Sequence, residues 1–204
     1  MIMFTGLIQQ IGTIIHFISG STAIMTIETH QPHEWNLGDS IACDGICLTI
    51  ASMPTAKQLV FHLSPETLIH SHFSIDSLQK ACHLEPALKA GDPLGGHFVT
   101  GHVHGLACIT QLNHLQDSCE MNLEYLGLPE SIVWHPKGSL TVDGVSLTIN
   151  QIHQNSCQLM LIPHTLAHTH FHAAQINQQV HIEFDLLETM IAHQVQNHLT
   201  GHTV

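Results

Sequence analysis

The sequence predicts an all-β protein of two tandem six-stranded Greek-key β-barrels with a C-terminal α-helix. An internal repeat is the first observation behind this prediction, because the block 44–50, DGICLTI, recurs as DGVSLTI at 143–149, a shift of 99 residues. The second observation is that each half divides into short β-favouring runs separated by Gly, Asn, Asp and Pro. About six short strands in a half of this size suit a small closed barrel, which removes the exposed edges of an open sheet.

Two further blocks show that the whole half is duplicated. Phe4-Thr5-Gly6-Leu7-Ile8 is echoed by Val99-Thr100-Gly101-His102-Val103, and the block 63–68, LSPETL, is echoed by IPHTL at 162–166. Three blocks in one order at a nearly constant offset indicate a tandem repeat. We therefore expect an N-terminal barrel over 1–95, a C-terminal barrel over 96–186, and a linker within 85–96.

The first half gives the predicted elements in order. Alternating or fully apolar runs predict strands, and a proline that can occupy the first position of a helix predicts a helical turn at Pro65 and another at Pro163. Apolar residues at three- and four-residue steps predict an amphipathic helix over 187–204, which must bury its apolar side on the barrel or on copies of itself. We favour the second. The predicted strands are Gly12–Phe17, Ala23–Thr29, Ser40–Ala42, Cys47–Ala51 and Leu59–Leu63.

The composition excludes several classes of function. The chain has four Lys and Arg residues together, sixteen acidic residues and 21 histidines, with a formal net charge of −12. So few cations make a nucleic-acid partner improbable. No apolar run is long enough to span a membrane, and the first twenty residues make a poor export signal. We expect a cytoplasmic protein whose six cysteines are free thiols.

The chain resembles the riboflavin synthase family over its whole length. The resemblance is carried by MFTG at 3–6, by GGHFVTGH at 95–102, by both Asp-Gly-x-x-Leu-Thr blocks, and by IPHTL at 162–166. It implies a homotrimer held by its C-terminal helices. It also implies a transferase that moves four carbons between two molecules of 6,7-dimethyl-8-ribityllumazine, giving riboflavin and 5-amino-6-ribitylamino-uracil without metal or organic cofactor. An association with lumazine synthase is left open.

The resemblance also implies which residues bind the two lumazines, one at each barrel. The pair would react between the N-terminal barrel of one subunit and the C-terminal barrel of a neighbour, with Lys137 reaching in from a trimer partner. The implied N-barrel residues are Gly6, Leu7, Ile8, Cys47, Leu48, Thr49, His62, Leu63, Ser64, Pro65, Glu66 and Thr67. The implied C-barrel residues are Gly101, His102, Val103, Ser146, Leu147, Thr148, Ile162, Pro163, His164, Thr165, Leu166 and Ala167.

Differences between the halves suggest a division of labour. His102 aligns with Leu7, Ser146 with Cys47, and Asp185 with Ala87. Our hypothesis is that His102, Ser146, Thr148 and Asp185 handle proton transfer in the C-barrel, while Cys47 supports the partner molecule. Cys47 could equally be a packing residue, and the candidate catalytic Asp143 could equally cap its turn.

Two other classes of function also fit parts of the sequence. A non-catalytic lumazine- or flavin-binding protein would need only one good pocket, whereas both Leu-Thr blocks are present here. The tract His168-x-His170-x-His172 could form a zinc site on a strand, but a helical turn is expected there, and residues two apart on a helix do not share a face. The sequence therefore predicts no metal.

Overall fold

In the computed structural model, which describes residues 2–30, 34–127 and 133–200, antiparallel strands close into two six-stranded barrels. The order around the first barrel is β1-β2-β5-β4-β3-β6, and the second repeats this topology with β7 to β12. The predicted fold class is therefore confirmed. The first barrel contains β1 (Gln10–Ile18), β2 (Ala23–Thr29), β3 (Ser40–Cys43), β4 (Ile46–Thr55), β5 (Gln58–Leu63) and β6 (Ala81–Pro86).

The second barrel follows the same plan. Its strands are β7 (Gly105–His114), β8 (Cys119–Tyr125), β9 (Ser139–Val142), β10 (Val145–His153), β11 (Ser156–Leu161) and β12 (Gln179–Phe184). The predicted helical turns are α1 (Pro65–Ile69) and α2 (Pro163–His168), each followed by a short 3₁₀ turn at Ile75–Ser77 or His170–Ala173. Helix α3 (Leu186–Thr200) ends the described chain, so the last four residues of the predicted 187–204 segment lie outside it.

Alternating side chains explain why these segments are strands. On β2, Met25 and Ile27 are fully buried, and on β4 the buried Leu48 and Ile50 flank an exposed Thr49. This period of two places one set of side chains inside the barrel and the other outside it. Each barrel thus has a core of its own.

Helix α3 leaves the second barrel with its apolar stripe uncovered by the chain itself. Asp185 caps it, since Asp185 Oδ1 accepts the backbone N–H groups of Leu187 at 2.8 Å and Glu188 at 3.1 Å. The stripe does not pack on the barrels, because all its members are at least half exposed. They are Leu187, Met190, Ile191, Val195 and Leu199. Among the helices of the described residues, none has the length and apolar content needed to cross a membrane.

We expect Leu159→Ala to destabilise the second barrel by about 2–5 kcal/mol, because Leu159 is fully buried and its loss leaves a cavity. Urea unfolding followed by circular dichroism measures this. The matched variant Leu37→Ala removes a side chain that is 66% exposed and should change the free energy of unfolding by less than about 0.5 kcal/mol. Equal effects of the two changes would contradict the assignment of the core.

Candidate functional site

The two halves exchange short segments just before their first strands. Phe4 and Val99 form an antiparallel bridge, in which the Phe4 N–H donates to the Val99 carbonyl at 2.7 Å and the Val99 N–H donates back at 3.2 Å. Beyond the bridge, Ile8 packs against the core of the second barrel and Val103 against the core of the first. Each barrel therefore receives a segment from the opposite half. We call residues 4–8 and 99–103 the crossing segments.

Glycines allow the crossing segments to touch the opposite barrel. The Ser146 N–H donates to the Gly6 carbonyl at 2.8 Å, and the Cys47 N–H donates to the Gly101 carbonyl at 2.9 Å. Gly6 and Gly101 have φ of +76° and +79°, and a Cβ on either would lie within 2.6 Å of the facing Cβ. Only glycine combines this conformation with this approach.

This arrangement differs from the grouping that the sequence suggested. The resemblance grouped Gly6-Leu7-Ile8 with Cys47, and Gly101-His102-Val103 with Ser146. The structure places Gly6 against Ser146 and Gly101 against Cys47. The reason is the bridge between Phe4 and Val99, which directs each segment onto the other barrel.

Two buried glutamates, which the sequence analysis missed, hold the crossing segments. Glu85 Oε1 accepts the Thr5 N–H and Oγ1–H, each at 2.7 Å, and Oε2 accepts the Gly6 N–H at 3.0 Å. Glu183 makes the same three bonds, at the same distances, to the second segment. Burial raises the pKa of both carboxyl groups, and these hydrogen bonds oppose that effect. Their matching places in the two repeats, at the ends of β6 and β12, are the signal that could have found them.

The second barrel presents Ser146 together with a histidine that the sequence analysis quoted but did not select. His97 Nδ1 lies 2.7 Å from Ser146 Oγ, and His97 Nε2 lies 3.0 Å from Thr141 Oγ1. Burial lowers the pKa of His97, while the charge of Asp185 opposes this. The imidazole is therefore neutral near pH 7 and lies between two hydroxyls. Alignment of the repeats puts Ile2 at the equivalent place in the first half.

The first barrel presents Cys47 at a cavity of about 510 Å³. His102 and Ile2 line this cavity, together with residues at the start of α3. Burial raises the pKa of the Cys47 thiol, so the thiol is protonated at neutral pH. His102 thus lies with Cys47 rather than with Ser146, contrary to the sequence-based hypothesis, because its crossing segment reaches the first barrel.

The remaining predicted binding residues lie around the ends of the same strands. Thr49, Thr148 and His62 are exposed, whereas Leu48, Leu63 and Leu147 are buried in the cores. Helix α1 carries Pro65, Glu66 and Thr67 behind its cap Ser64, and α2 carries Pro163, His164, Thr165, Leu166 and Ala167 after Ile162.

Three further predicted residues make other contacts. Lys137 is exposed in the turn before β9. The carboxylate of Asp185 caps α3, as described above, although its charge reaches His97. Asp143 is buried where the two barrels meet and accepts the His181 N–H at 2.7 Å.

The candidate zinc tract does not converge on one point. His168 Nδ1 is bonded to the His164 carbonyl and His172 Nδ1 to the Thr169 carbonyl, each at 2.8 Å, while His170 Nε2 faces Asp44 at 3.2 Å. These directions follow from the helical turns α2 and His170–Ala173, which replace the strand that the zinc hypothesis needed.

Two other side-chain groups are close enough to hold a metal ion. In each, one histidine has both ring nitrogens bonded to backbone, so ligation would cost two hydrogen bonds. The other two side chains are too few for a zinc site, which takes three or four protein ligands. The groups are Asp44, His83 and His170, and His72, Asp143 and His181.

Comparison with known proteins agrees with this architecture. The family model for the lumazine binding domain matches the chain twice, over residues 5–87 and 100–185. Crystal structures of LumP with 6,7-dimethyl-8-(1'-D-ribityl) lumazine and with riboflavin share the fold, with TM-scores of 0.79 and 0.80 at 17% and 18% identity. They cover 88% and 89% of this chain and 98% of those chains.

Sequence relatives extend the match along the chain. Riboflavin synthase of Bacillus subtilis (strain 168) is 39% identical over 190 residues, covering 91% of this chain and 86% of that protein. Riboflavin synthase of Brucella abortus (strain 2308) is 34% identical over 202 residues, covering 95% and 98%. With two lumazine-binding domains and this extent of identity, the chain belongs to the riboflavin synthase family of lumazine-binding proteins.

Proposed function

We propose that this chain is a riboflavin synthase, which converts two 6,7-dimethyl-8-ribityllumazine molecules into riboflavin and 5-amino-6-ribitylamino-uracil. The four carbons that one lumazine loses are the four that the other gains, so the exchange needs no external oxidant or reductant. Support comes from relatives over more than nine-tenths of the chain and from two matched lumazine-binding domains.

One observation carries the proposal: the regions around Cys47 and around Ser146, which we call the two clefts, have the same backbone frame but different side chains. Ser146 and His97 stand in one cleft where Cys47 and Ile2 stand in the other. A dismutation treats two identical molecules differently, one as donor and one as acceptor, and therefore needs unlike sites. A protein that only stores a ligand needs a single site.

We propose that Ser146 and His97 handle proton transfer at one lumazine. One lumazine must lose a proton from its 7-methyl group, and the ring delocalises the carbanion that results. A neutral imidazole can take the Ser146 proton at Nδ1 while its Nε2–H donates to Thr141. Positioning contributes more, since holding two reactants face to face can supply roughly 7–11 kcal/mol of the barrier.

We propose that Cys47 contacts the second lumazine without becoming its covalent nucleophile. A thiol with a raised pKa is a poor nucleophile at neutral pH, because the thiolate is the reactive form. Water then remains the nucleophile that activates the acceptor ring. His102 in the same cavity supplies a second titratable group for this molecule.

The finer assignments are also proposals. We propose lumazine-binding units over 1–95 and 96–186, a homotrimer held by 187–204, and Lys137 reaching a neighbouring subunit. The apolar stripe of α3, uncovered in the single chain, supports the trimer. Six free cysteines suit a reducing cytoplasm. Association with lumazine synthase would bring the supply of substrate close to these clefts.

Flavin formation tests the reaction. Incubated with 6,7-dimethyl-8-ribityllumazine alone, the protein should produce riboflavin, measured by flavin absorbance. Ser146→Ala and His97→Gln should each slow this by about 10²–10⁴-fold, because each removes part of the proton-transfer pair. The rate should also fall as the pH drops and His97 takes up a proton, below its ordinary pKa of 6.5.

The control variant is His16→Gln, which changes an exposed histidine on the outside of β1 and should leave the rate unchanged. Lumazine that binds to the unaltered protein without forming flavin would contradict the enzyme and favour a storage or chromophore protein. Unchanged rates in both site variants would contradict the assigned pair.

Cys47→Ser should keep the rate within about tenfold of the unaltered protein, because a protonated thiol and a hydroxyl present similar groups to the ligand. The same absorbance assay measures this. A loss of several orders of magnitude, together with a lumazine–protein adduct detected by mass spectrometry, would show that Cys47 is a covalent nucleophile after all.

Ile191→Glu combined with Val195→Glu should abolish the oligomer, because two charges would enter the apolar stripe of α3. Sedimentation at equilibrium would give the mass of a single chain instead of three. Gln196→Glu adds a charge on the opposite side of the helix and should leave the mass unchanged. A monomeric unaltered protein would contradict the trimer.

A further inference from the structure

The two barrels meet at a second place, at the tips of the β3–β4 and β9–β10 hairpins. A Cβ on Gly45 would lie 2.7 Å from the Gly144 nitrogen, and the reverse contact would also be 2.7 Å. The preceding aspartates both have φ of +42°. Around these tips lies a pseudo-symmetric cluster that we call the seam, formed by Asp44, His72, His83, Asp143, His170 and His181.

Two inner imidazoles connect one barrel to the other through backbone groups. His83 Nδ1 is 2.8 Å from the Asp143 carbonyl, and its Nε2 accepts the His170 N–H at 2.8 Å. His181 makes the equivalent contacts: its Nδ1 is 2.8 Å from the Asp44 carbonyl, and its Nε2 accepts the His72 N–H at 3.1 Å. A carbonyl only accepts and an N–H only donates, so each ring must carry its proton on Nδ1 and none on Nε2. Both rings are thus fixed as neutral imidazoles.

Two outer imidazoles stack on the inner ones and lie closer to carboxylates, whereas the inner Nδ1 atoms of His83 and His181 are 3.6 Å from Asp44 Oδ1 and Asp143 Oδ1. His170 lies on His83 with ring centroids 3.6 Å apart, and His72 lies on His181 at 3.9 Å. The Nε2 of His170 is 3.2 Å from Asp44 Oδ1, and that of His72 is 3.4 Å from Asp143 Oδ1. These rings can therefore carry a positive charge, which the inner rings cannot do without losing a bond.

The seam adjoins the strands that carry Cys47 and Ser146, because Asp44 and Asp143 lie in the turns just before β4 and β10. Asp44 precedes Cys47 by three residues at the start of β4, and Asp143 precedes Ser146 in the same way at the start of β10. Cys47 and Ser146 each donate a backbone N–H to a crossing segment, as described above. A shift of the hairpin tips would therefore move both clefts at once.

We propose that His83 and His181 are positioning residues, which as neutral imidazoles hold the barrels in register and on protonation release both clefts together. A proton on either Nε2 would point at a backbone N–H, so the bond there would break. The effect on lumazine rests on the proposed function, whereas the acid opening of the seam does not.

The sign of the pH effect follows from the two kinds of histidine. Burial lowers the pKa of His83 and His181 from 6.5 to about 4, so their contribution to stability is lost as the pH falls below 6.5. Burial also disfavours charge on His72 and His170, but Asp143 and Asp44 outweigh it and raise the pKa of each. Their contribution is present below 6.5 and lost as the pH rises through the raised value. The seam is most stable just above pH 6.5.

The remaining groups around the seam do not change this sign. Burial acts to raise the pKa of Asp44, but the hydrogen bond to His170 and the charge of that ring outweigh it and hold the pKa well below its usual range, so Asp44 stays ionised. Burial, with neighbouring Cys43 and Asp44, raises the pKa of the Cys82 thiol, which stays protonated. Asp76 and Lys80 line the open groove of about 660 Å³ beside the seam, and they carry opposite charges.

The experiment measures lumazine affinity and flavin formation between pH 7.5 and 3.5, a range that includes the lowered pKa of His83 and His181 at about 4. The unaltered protein should lose affinity at both clefts with one common midpoint. In His83→Asn with His181→Asn, an amide keeps a donor toward the carbonyl but cannot take up a proton. Its affinity should be weaker by a few fold at pH 7.5 and should change less than about threefold across the pH range in which the unaltered protein loses affinity. The control His16→Asn with His153→Asn removes two exposed histidines and should keep the original midpoint.

Hydrogen exchange of the unaltered protein tests the seam without any variant. On acidification, the amides of β6, β12 and the loops at His72 and His170 should lose protection before those of β2 and β8. Three outcomes would each overturn the proposal. The asparagine variant could keep the original midpoint, the two clefts could lose affinity at separate pH values, or the seam amides could lose protection only when the whole barrel unfolds. If the seam opens in acid but the protein forms no flavin at pH 7.5, the proposal about the seam would stand and the proposed function would be refuted.

Discussion

The exchange of crossing segments is the constraint on which both clefts depend. The bridge between Phe4 and Val99 directs each crossing segment onto the other barrel. There the glycine carbonyl of the segment accepts the backbone N–H of Ser146 or Cys47. Because Glu85 and Glu183 are buried and accept hydrogen bonds from these segments, each carboxylate favours the crossed arrangement strongly. Each half thus supplies a segment that packs on the barrel of the other half.

Duplication explains how one backbone frame came to present two different sets of side chains. The glycine, the glutamate that holds the crossing segment and the Leu-Thr strand are the same in both halves. Among the residues that differ, Ser146 and His97 in one half stand where Cys47 and Ile2 stand in the other. Side chains can therefore change around a backbone frame that stays the same.

Sequence patterns predicted the barrels well because a period of two and an internal repeat are local properties. The strands Ala23–Thr29 and α1 at Pro65 were placed within a residue or so of their observed bounds. Which barrel receives which crossing segment is not local, since the two segments share the same Thr-Gly pair with an apolar residue at each end and either arrangement satisfies the pattern. For that reason His102 was grouped with Ser146, and His97, whose partner is 49 residues away, was not selected.

The sequence offered no reason for the high histidine content. In the structure, the histidines fall into different groups according to the atoms that their ring nitrogens contact. Most are exposed, but four meet where the barrels touch, two facing backbone and two facing carboxylates. An imidazole between a carbonyl and an N–H satisfies both without charge, whereas Lys or Arg would leave the N–H facing a donor. Histidine can fill this place in a chain poor in permanent cations, and the same choice makes the contact between the barrels dependent on protons.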